Sequence, residues 1–171
     1  MTNRLTARLF RDGFHALAFL PSAAIIGAVP GSIVTLRPGE SEFRQTHAIT
    51  RGTRPLHITT TPGGAVFWGE YFDNAQLDEV HIYSSQDAGA TWSIAYTFPK
   101  GTIRHVHNIV HDPWGNCLWI LAGDYGDECR ILRAPPAISP ASRSLFRATN
   151  RPERWAQSPP KMLSTFRPIR R

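Results

Sequence analysis

The stretch SSQDAGATW, Ser84–Trp92, decides the fold of this chain of 171 residues. It lies between VHIYSS and WSIAYTF, two runs in which apolar and polar residues alternate as in half-buried β-strands. Asp87 can accept hydrogen bonds from backbone N–H groups of its own turn, and Gly89 permits the positive φ that such a turn needs. Trp92 can close the base of the hairpin with a large apolar ring. We therefore predict a β-hairpin with its tip at Asp87–Gly89.

The strand-like pattern continues on both sides of this stretch. Short apolar runs such as AIIGAV, AVFWGEYF, HVHNIV and CLWILAG are separated by turn formers such as TPGG, DPWGN and GDYGDE. No run repeats its apolar residues at helical spacing. The sequence therefore predicts all-β structure from about residue 10 to residue 133.

Two segments of the chain repeat one pattern. Arg54-Pro-Leu-His57 precedes a Pro-Gly-Gly turn and then Phe67-Trp68, whereas Arg104-His-Val-His107 precedes a Pro-Trp-Gly turn and then Leu118-Trp119. The two starts are 50 residues apart. A tandem all-β unit of about 40–50 residues is typical of propeller blades. The alternative is a pair of unrelated hairpins in a β-sandwich.

The spacing Ser-x-Asp-x-Gly-x-Thr-Trp in the opening stretch resembles the Asp-box, or BNR, repeat of sialidase-like β-propellers. The resemblance covers eight residues and matches every position of the repeat. It implies an all-β fold of the sialidase-like β-propeller kind. Given the length and the uneven composition of the chain, we expect an incomplete propeller of two to three antiparallel blades, a truncated or frameshifted copy. In the resembled family this hairpin lies away from the catalytic mouth. The motif residues are therefore expected to be structural: Ser85, Asp87, Gly89, Thr91 and Trp92.

Charge divides the chain into two parts. Residues 134–171 hold eight of the 19 Lys and Arg residues but only one of the 13 Asp and Glu residues, so their net charge is +7. Residues 1–133 have a net charge of −1, which gives +6 for the whole chain. We expect a partial β-propeller with one Asp-box in residues 1–133 and a disordered, basic, Pro- and Arg-rich tail in residues 134–171. The abrupt change also fits a reading-frame shift, in which case the tail is non-native sequence. The alternative is a genuine basic tail that binds nucleic acid.

A closed propeller needs at least four blades. At about 45–50 residues per blade, residues 1–133 supply fewer than three, so we expect the ring to stay open. Open strand edges favour self-association.

Polar residues beside the repeated strands are the candidates for ligand binding. On a strand, His105 and His107 project to the same face, and His-x-His can chelate a metal. The sequence shows no carboxylate clearly paired with them, so we expect structural histidines and no metal. The predicted ligand-binding residues are Arg54, His57, Arg104, His105 and His107.

Two acidic groups follow the Trp-bearing strands, in GEYFDN and GDYGDE. Glycosidases use two carboxylates about 5–10 Å apart. Glu70 and Asp124 stand at equivalent ends of the repeated units and are the predicted catalytic pair. The alternative is that both groups are solvated turns.

The function expected from the resemblance is that of a sialidase-like propeller of unassigned activity, with glycoside hydrolysis as its chemistry. The Arg-Ile-Pro signature, arginine triad and Tyr-Glu pair of sialidases are not recognisable, so the alternative is a non-catalytic propeller that binds glycan or protein. We expect carbohydrate as the partner, no cofactor, no nucleic acid and no membrane. The uncharged run after Arg4, Arg8 and Arg11 leaves a targeting segment open, and a cytoplasmic location is slightly favoured over secretion.

Overall fold

The computed structural model of the chain describes residues 13–52, 54–136 and 147–148. These residues form three antiparallel sheets, each a meander in which every strand pairs with the next one along the chain. The first sheet holds β1 Ala16–Phe19, β2 Ile25–Val29, β3 Ser32–Leu36 and β4 Arg44–Ala48. The second holds β5 Thr59–Thr60, β6 Val66–Gly69, β7 Val80–Ser85 and β8 Ser93–Phe98. The third holds β9 Val106–Asp112, β10 Cys117–Ala122, β11 Arg130–Ala134 and β12 Arg147–Ala148.

The three sheets are arranged as blades of a β-propeller. The first strands of successive sheets are neighbours, because β1 contacts β5 and β5 contacts β9. The sheets therefore fan out from a common row of inner strands, and we call them the first, second and third blade. The prediction of an all-β propeller with two to three antiparallel blades is confirmed.

The middle blade is buried on both sides, and β6 shows why. Its side chains alternate between faces, so Val66 and Trp68 pack against the first blade while Phe67 packs against the third. All three are fully buried. The run VFWG is continuously apolar because both faces of this strand are covered, as is typical of strands buried on both faces. Burial of each large side chain contributes about 1.5–3 kcal/mol.

Close backbone approach joins the second and third blades. A Cβ added at Gly69, the last residue of β6, would lie 2.5 Å from the Cβ of Val106. The N–H of Val106 donates to the carbonyl of Glu70 at 3.0 Å. Only glycine leaves room for this hydrogen bond between the blades.

Successive turns of a meander alternate between the two ends of its sheet. The β5–β6, β7–β8 and β9–β10 turns lie at one end, which we call the Asp87 end. The β6–β7 and β10–β11 loops lie at the other, which we call the Glu70 end. The segments that enter β5 and β9 also lie at the Glu70 end, because each inner strand starts there.

Asp87 organises the turn between β7 and β8. One carboxylate oxygen accepts hydrogen bonds from the N–H groups of Ala90 and Thr91, at 3.0 and 2.9 Å, and the other accepts from the Thr91 hydroxyl at 2.6 Å. The Ser85 hydroxyl donates to Asp87 and accepts from the N–H of Gly89, both at 2.8 Å. Gly89 has φ +81°, a left-handed conformation that glycine adopts without strain. The motif therefore stabilises its own hairpin.

The chain beyond β11 is described only in part. Arg147–Ala148 form β12 and pair with Leu132 and Arg133 of β11. The rest of the predicted tail from residue 137 onward lies outside the described residues, as does the N-terminal Arg run. Both cysteines are free: Cys117 is buried in β10, whereas Cys129 is exposed in the loop before β11. No helix within the described part of the chain is long and apolar enough to cross a membrane.

Candidate functional site

Local backbone geometry brings two histidines and an aspartate together at the Glu70 end of the third blade. His105 immediately precedes β9, and His107 lies at a β-bulge in it: Leu121 pairs with Asn108 but Ala122 pairs with Val106. A bulge re-aims the side chains around it. The bulge therefore lies at His107 and close to His105, at the start of the strand.

Gly123 carries the chain from β10 to Asp124. Its N–H donates to the carbonyl of His105 at 3.1 Å, and its φ is +78°. A Cβ there would lie 1.9 Å from the carbonyl oxygen of Glu128. Glycine is therefore required at this position, and the sharp turn directs Asp124 towards the start of β9.

The side chains of His105, His107 and Asp124 form what we call the His–Asp cluster. The Nε2 of His107 lies 2.8 Å from Oδ1 of Asp124, and the Nε2 of His105 lies 3.0 Å from Oδ2. The two imidazole centroids are 4.7 Å apart. Tyr71 of the second blade covers the cluster, with its ring centroid 4.2 Å from that of His105. The carboxylate that the sequence did not pair with the histidines is thus Asp124.

Burial differs across the cluster. The side chain of His105 is 9% exposed, whereas those of His107 and Asp124 are 35% and 30% exposed. Burial alone would raise the pKa of Asp124, but the two histidines outweigh it and lower that pKa below its ordinary value. Asp124 is therefore an anion at neutral pH and is open to solvent on one side.

Glu70 occupies the matching place in the second blade, but its surroundings differ. It is buried, and the guanidinium of Arg51 donates to both of its carboxylate oxygens. The N–H of His81 donates to it at 2.8 Å. Arg51 also donates to the carbonyl of Glu79 at 2.6 Å. Glu70 therefore ties the link after β4 to the β6–β7 loop.

Arg104 and Tyr125 lie beside the cluster at the same end. The Nε of Arg104 is 3.3 Å from a carboxylate oxygen of Glu128, and its guanidinium stands 5.5 Å from the centroid of the Tyr125 ring. Tyr125 is 69% exposed. This pair gives the Glu70 end an exposed aromatic group next to a cation.

The remaining predicted ligand residues lie in the segment that enters β5. Arg54 is half-buried and His57 is exposed there. Arg104 and His105 hold the corresponding position before β9, so the structure places both repeated segments at the Glu70 end of their blades.

Sequence reasoning missed three residues that build this end: Arg51, Tyr71 and Asn74. The amide of Asn74 donates to the carbonyls of Asp78 and Arg104, at 3.0 and 2.9 Å, and so joins the second blade to the third. A repeated pattern in the sequence could have identified Tyr71. Gly69-Glu-Tyr71 and Gly123-Asp-Tyr125 repeat a Gly-acid-Tyr pattern after the second strand of each blade. Arg51 has no such signal, because it comes from a link 19 residues before its partner.

Comparison with known proteins supports the fold and nothing finer. No protein-family model matches the chain, and no curated protein matches it. Solved structures do match, and they are β-propeller-like proteins.

Three of these structures illustrate the likeness. A chain of a nidogen/laminin complex is 18% identical, with a TM-score of 0.53, and the match covers 80% of this chain and 48% of that one. The α-L-arabinofuranosidase Arb93A from Fusarium graminearum, in complex with an iminosugar inhibitor, is 14% identical at a TM-score of 0.50, covering 71% and 44%. YCF48 bound to D1 peptide is 13% identical at a TM-score of 0.50, covering 80% and 40%. The present chain therefore spans less than half the length of these propellers.

Proposed function

We propose that this chain is a non-catalytic, ligand-binding module of the sialidase-like, Asp-box kind of propeller, and that it binds a polypeptide at its Glu70 end. The observation that carries this choice is the state of the two predicted catalytic carboxylates. Glu70 accepts hydrogen bonds from Arg51 and from a backbone N–H, and Asp124 is held by two histidines.

Glycoside hydrolysis needs one carboxyl group that stays protonated and a second that is ionised. A lowered pKa makes Asp124 unsuited to the role of acid. Glu70 is buried and both of its oxygens are occupied by donors. This arrangement favours binding over hydrolysis.

The Glu70 end carries the residue types that are enriched in protein interfaces. Tyr and Arg supply a large share of binding energy at such surfaces. Tyr125 is 69% exposed and lies over Arg104, and Tyr71 and His107 continue the surface. Among the structural neighbours, YCF48 was solved with a bound peptide and nidogen with laminin, which supports a polypeptide ligand by analogy of fold.

The binding test uses two exposed aromatic residues at opposite ends of the blades. Trp114 is 94% exposed and lies in the β9–β10 turn at the Asp87 end. Peptides selected from a random display library against the full chain should bind about tenfold or more weakly to Tyr125→Ala and equally well to Trp114→Ala. Equal binding by both variants, or selection of no peptide, would reject the proposed site.

Hydrolysis of carbohydrate is the second candidate function, because Glu70 and Asp124 do stand after equivalent strands of adjacent blades. Activity on a panel of chromogenic glycosides decides between the two. We expect none. Turnover that disappears in both Glu70→Gln and Asp124→Asn would establish a hydrolase instead.

A further inference from the structure

We propose that the His–Asp cluster is a binding site for one divalent first-row transition-metal ion, with Zn²⁺ as the representative ion. This inference concerns the third blade alone and holds whether the Glu70 end binds a polypeptide or a glycan.

The donor set suits such an ion. Two imidazoles and one carboxylate are ligands of Zn²⁺ and of other first-row divalent metals, whereas Mg²⁺ and Ca²⁺ prefer all-oxygen sites. His105, His107 and Asp124 each offer one ligand atom, and these atoms all lie within 4.8 Å of one another.

The distances from Asp124 to the two imidazoles are close to those between neighbouring ligands of one ion. Metal–nitrogen and metal–oxygen bonds of about 2.1 Å place neighbouring ligand atoms roughly 3.0 Å apart at octahedral angles and roughly 3.4 Å apart at tetrahedral ones. Asp124 lies 2.8 Å from the Nε2 of His107 and 3.0 Å from that of His105. The three ligand atoms already lie within 4.8 Å of one another, so rotation of the side chains is what must bring them around one ion.

His105 supplies an independent observation. It is buried, its Nδ1 makes no hydrogen bond within the described part of the chain, and its Nε2 has only the carboxylate of Asp124 beside it, at 3.0 Å. A buried polar group left without a partner is costly. An ion between His105 and Asp124 would bind the buried imidazole and the carboxylate together.

The comparison of the two blades points the same way. In the second blade, the acidic residue after the second strand is neutralised by the guanidinium of Arg51. In the third blade, the corresponding carboxylate of Asp124 faces two imidazoles. A bound metal ion supplies the third blade with the full positive charge that Arg51 supplies to the second.

One side of the site is buried and held in place, and the other side is exposed to solvent. Tyr71 and the Gly123 turn hold the buried His105, while His107 and Asp124 are each about one-third exposed. Three protein ligands leave further coordination positions on the solvent side, so an exogenous donor atom can reach the ion.

The test is a metal titration of the full chain after chelator treatment and buffer exchange. Equilibrium dialysis with metal analysis should give one tightly bound Zn²⁺ per chain, and Co²⁺ should give visible absorption bands without thiolate charge transfer. His107→Gln and Asp124→Asn should each weaken Zn²⁺ binding at least about tenfold.

Matched controls separate the cluster from other donors. Asp127→Asn removes an exposed carboxylate from the same loop, His57→Gln removes an exposed imidazole, and Cys129→Ser removes the exposed thiol. All three should bind Zn²⁺ like the parent. Circular dichroism of each metal-free variant checks its fold, and the Co²⁺ spectrum of the parent reports the ligands without any substitution. No binding of either metal by the parent, a thiolate band, or unchanged affinity in both cluster variants would overturn the proposal.

Discussion

The hydroxyl of Thr35, in the first blade, donates to the carbonyl of Gly89, in the second, at 3.0 Å. The indole N–H of Trp92 reaches the hydroxyl of Thr46 in the same way at 3.2 Å. The Asp87 turn therefore does more than close its own hairpin, because it also fastens the second blade to the first.

Gly89→Ala should destabilise the chain more than Gly64→Ala. Both glycines have φ near +80°, at +81° and +82°, so both substitutions carry the same backbone strain of about 1 kcal/mol. A Cβ at position 89 would also lie 2.5 Å from Ile26, whereas nothing lies within 4 Å at position 64. We expect an additional loss of about 1–3 kcal/mol in the free energy of unfolding, measured with urea. Equal losses of unfolding free energy in the two variants would show that side chains of the first blade move to accommodate the new methyl group.

Asp87 should make stability depend on pH. Burial opposes its charge, but hydrogen bonds from Thr91, Ser85 and Ala90 outweigh burial and lower the pKa of Asp87 below the ordinary 3.8. A lowered folded-state pKa means that the stabilisation is complete above the ordinary value and is lost as pH falls through the folded-state pKa. Urea unfolding between pH 5 and pH 2 should therefore show a steeper acid loss in the parent than in Asp87→Asn. An identical pH profile in Asp87→Asn would contradict the assignment, and Asp73→Asn is the exposed control.

Arg51→Met should cost about 3 kcal/mol, because it leaves the buried carboxylate of Glu70 without its partner. The double variant Arg51→Met, Glu70→Leu should recover part of that loss, since the uncompensated charge is gone. Lys100→Met breaks the exposed ion pair with Asp78 and should cost much less, because solvent screens both charges. Thermal unfolding of the three variants checks this order of stability losses. A loss in Arg51→Met no larger than in Lys100→Met would mean that water reaches Glu70.

Gly69→Ala should loosen the junction between the second and third blades, because its Cβ would stand 2.5 Å from that of Val106. The expected loss is about 1–3 kcal/mol. Val106→Ala in the same chain removes the two clashing Cγ atoms but keeps the clashing Cβ, whereas Val106→Gly removes all three, so Val106→Gly should relieve the clash more. A double-mutant cycle measures this relief as a coupling energy. Zero coupling would place the two residues farther apart than the structure does.

The sequence predicts strands well here because short-range physics decides them. The alternation in VHIYSS, the turn chemistry at Asp87 and the Arg-x-x-His repeat are all local, and each corresponds to a strand, a turn or a blade in the structure. The strand formed by Arg147–Ala148 was not anticipated, because two residues in a Pro- and Arg-rich segment carry no strand pattern.

The candidate site could not be predicted to the same depth. The pairing of Asp124 with His105 and His107 depends on a bulge and on the turn at Gly123, and neither leaves a spacing rule in the sequence. Arg51 reaches Glu70 from a link between blades, and such long-range partners depend on how the blades dock. The residue types at the Glu70 end could be predicted from the sequence, but their hydrogen-bond and ion-pair partners could not.

The covered middle strand also has a consequence for folding. Since Val66 and Trp68 depend on the first blade and Phe67 depends on the third, unravelling either outer blade uncovers one half of β6. Repeat proteins often lose cooperativity as adjacent units come apart one by one. Here the middle blade shares its hydrophobic core with both neighbouring blades. Unfolding that begins in either outer blade therefore also exposes apolar side chains of the middle blade, which costs free energy. Amide hydrogens of β6 should accordingly exchange only through the global opening, making this strand the slowest-exchanging segment among the described residues.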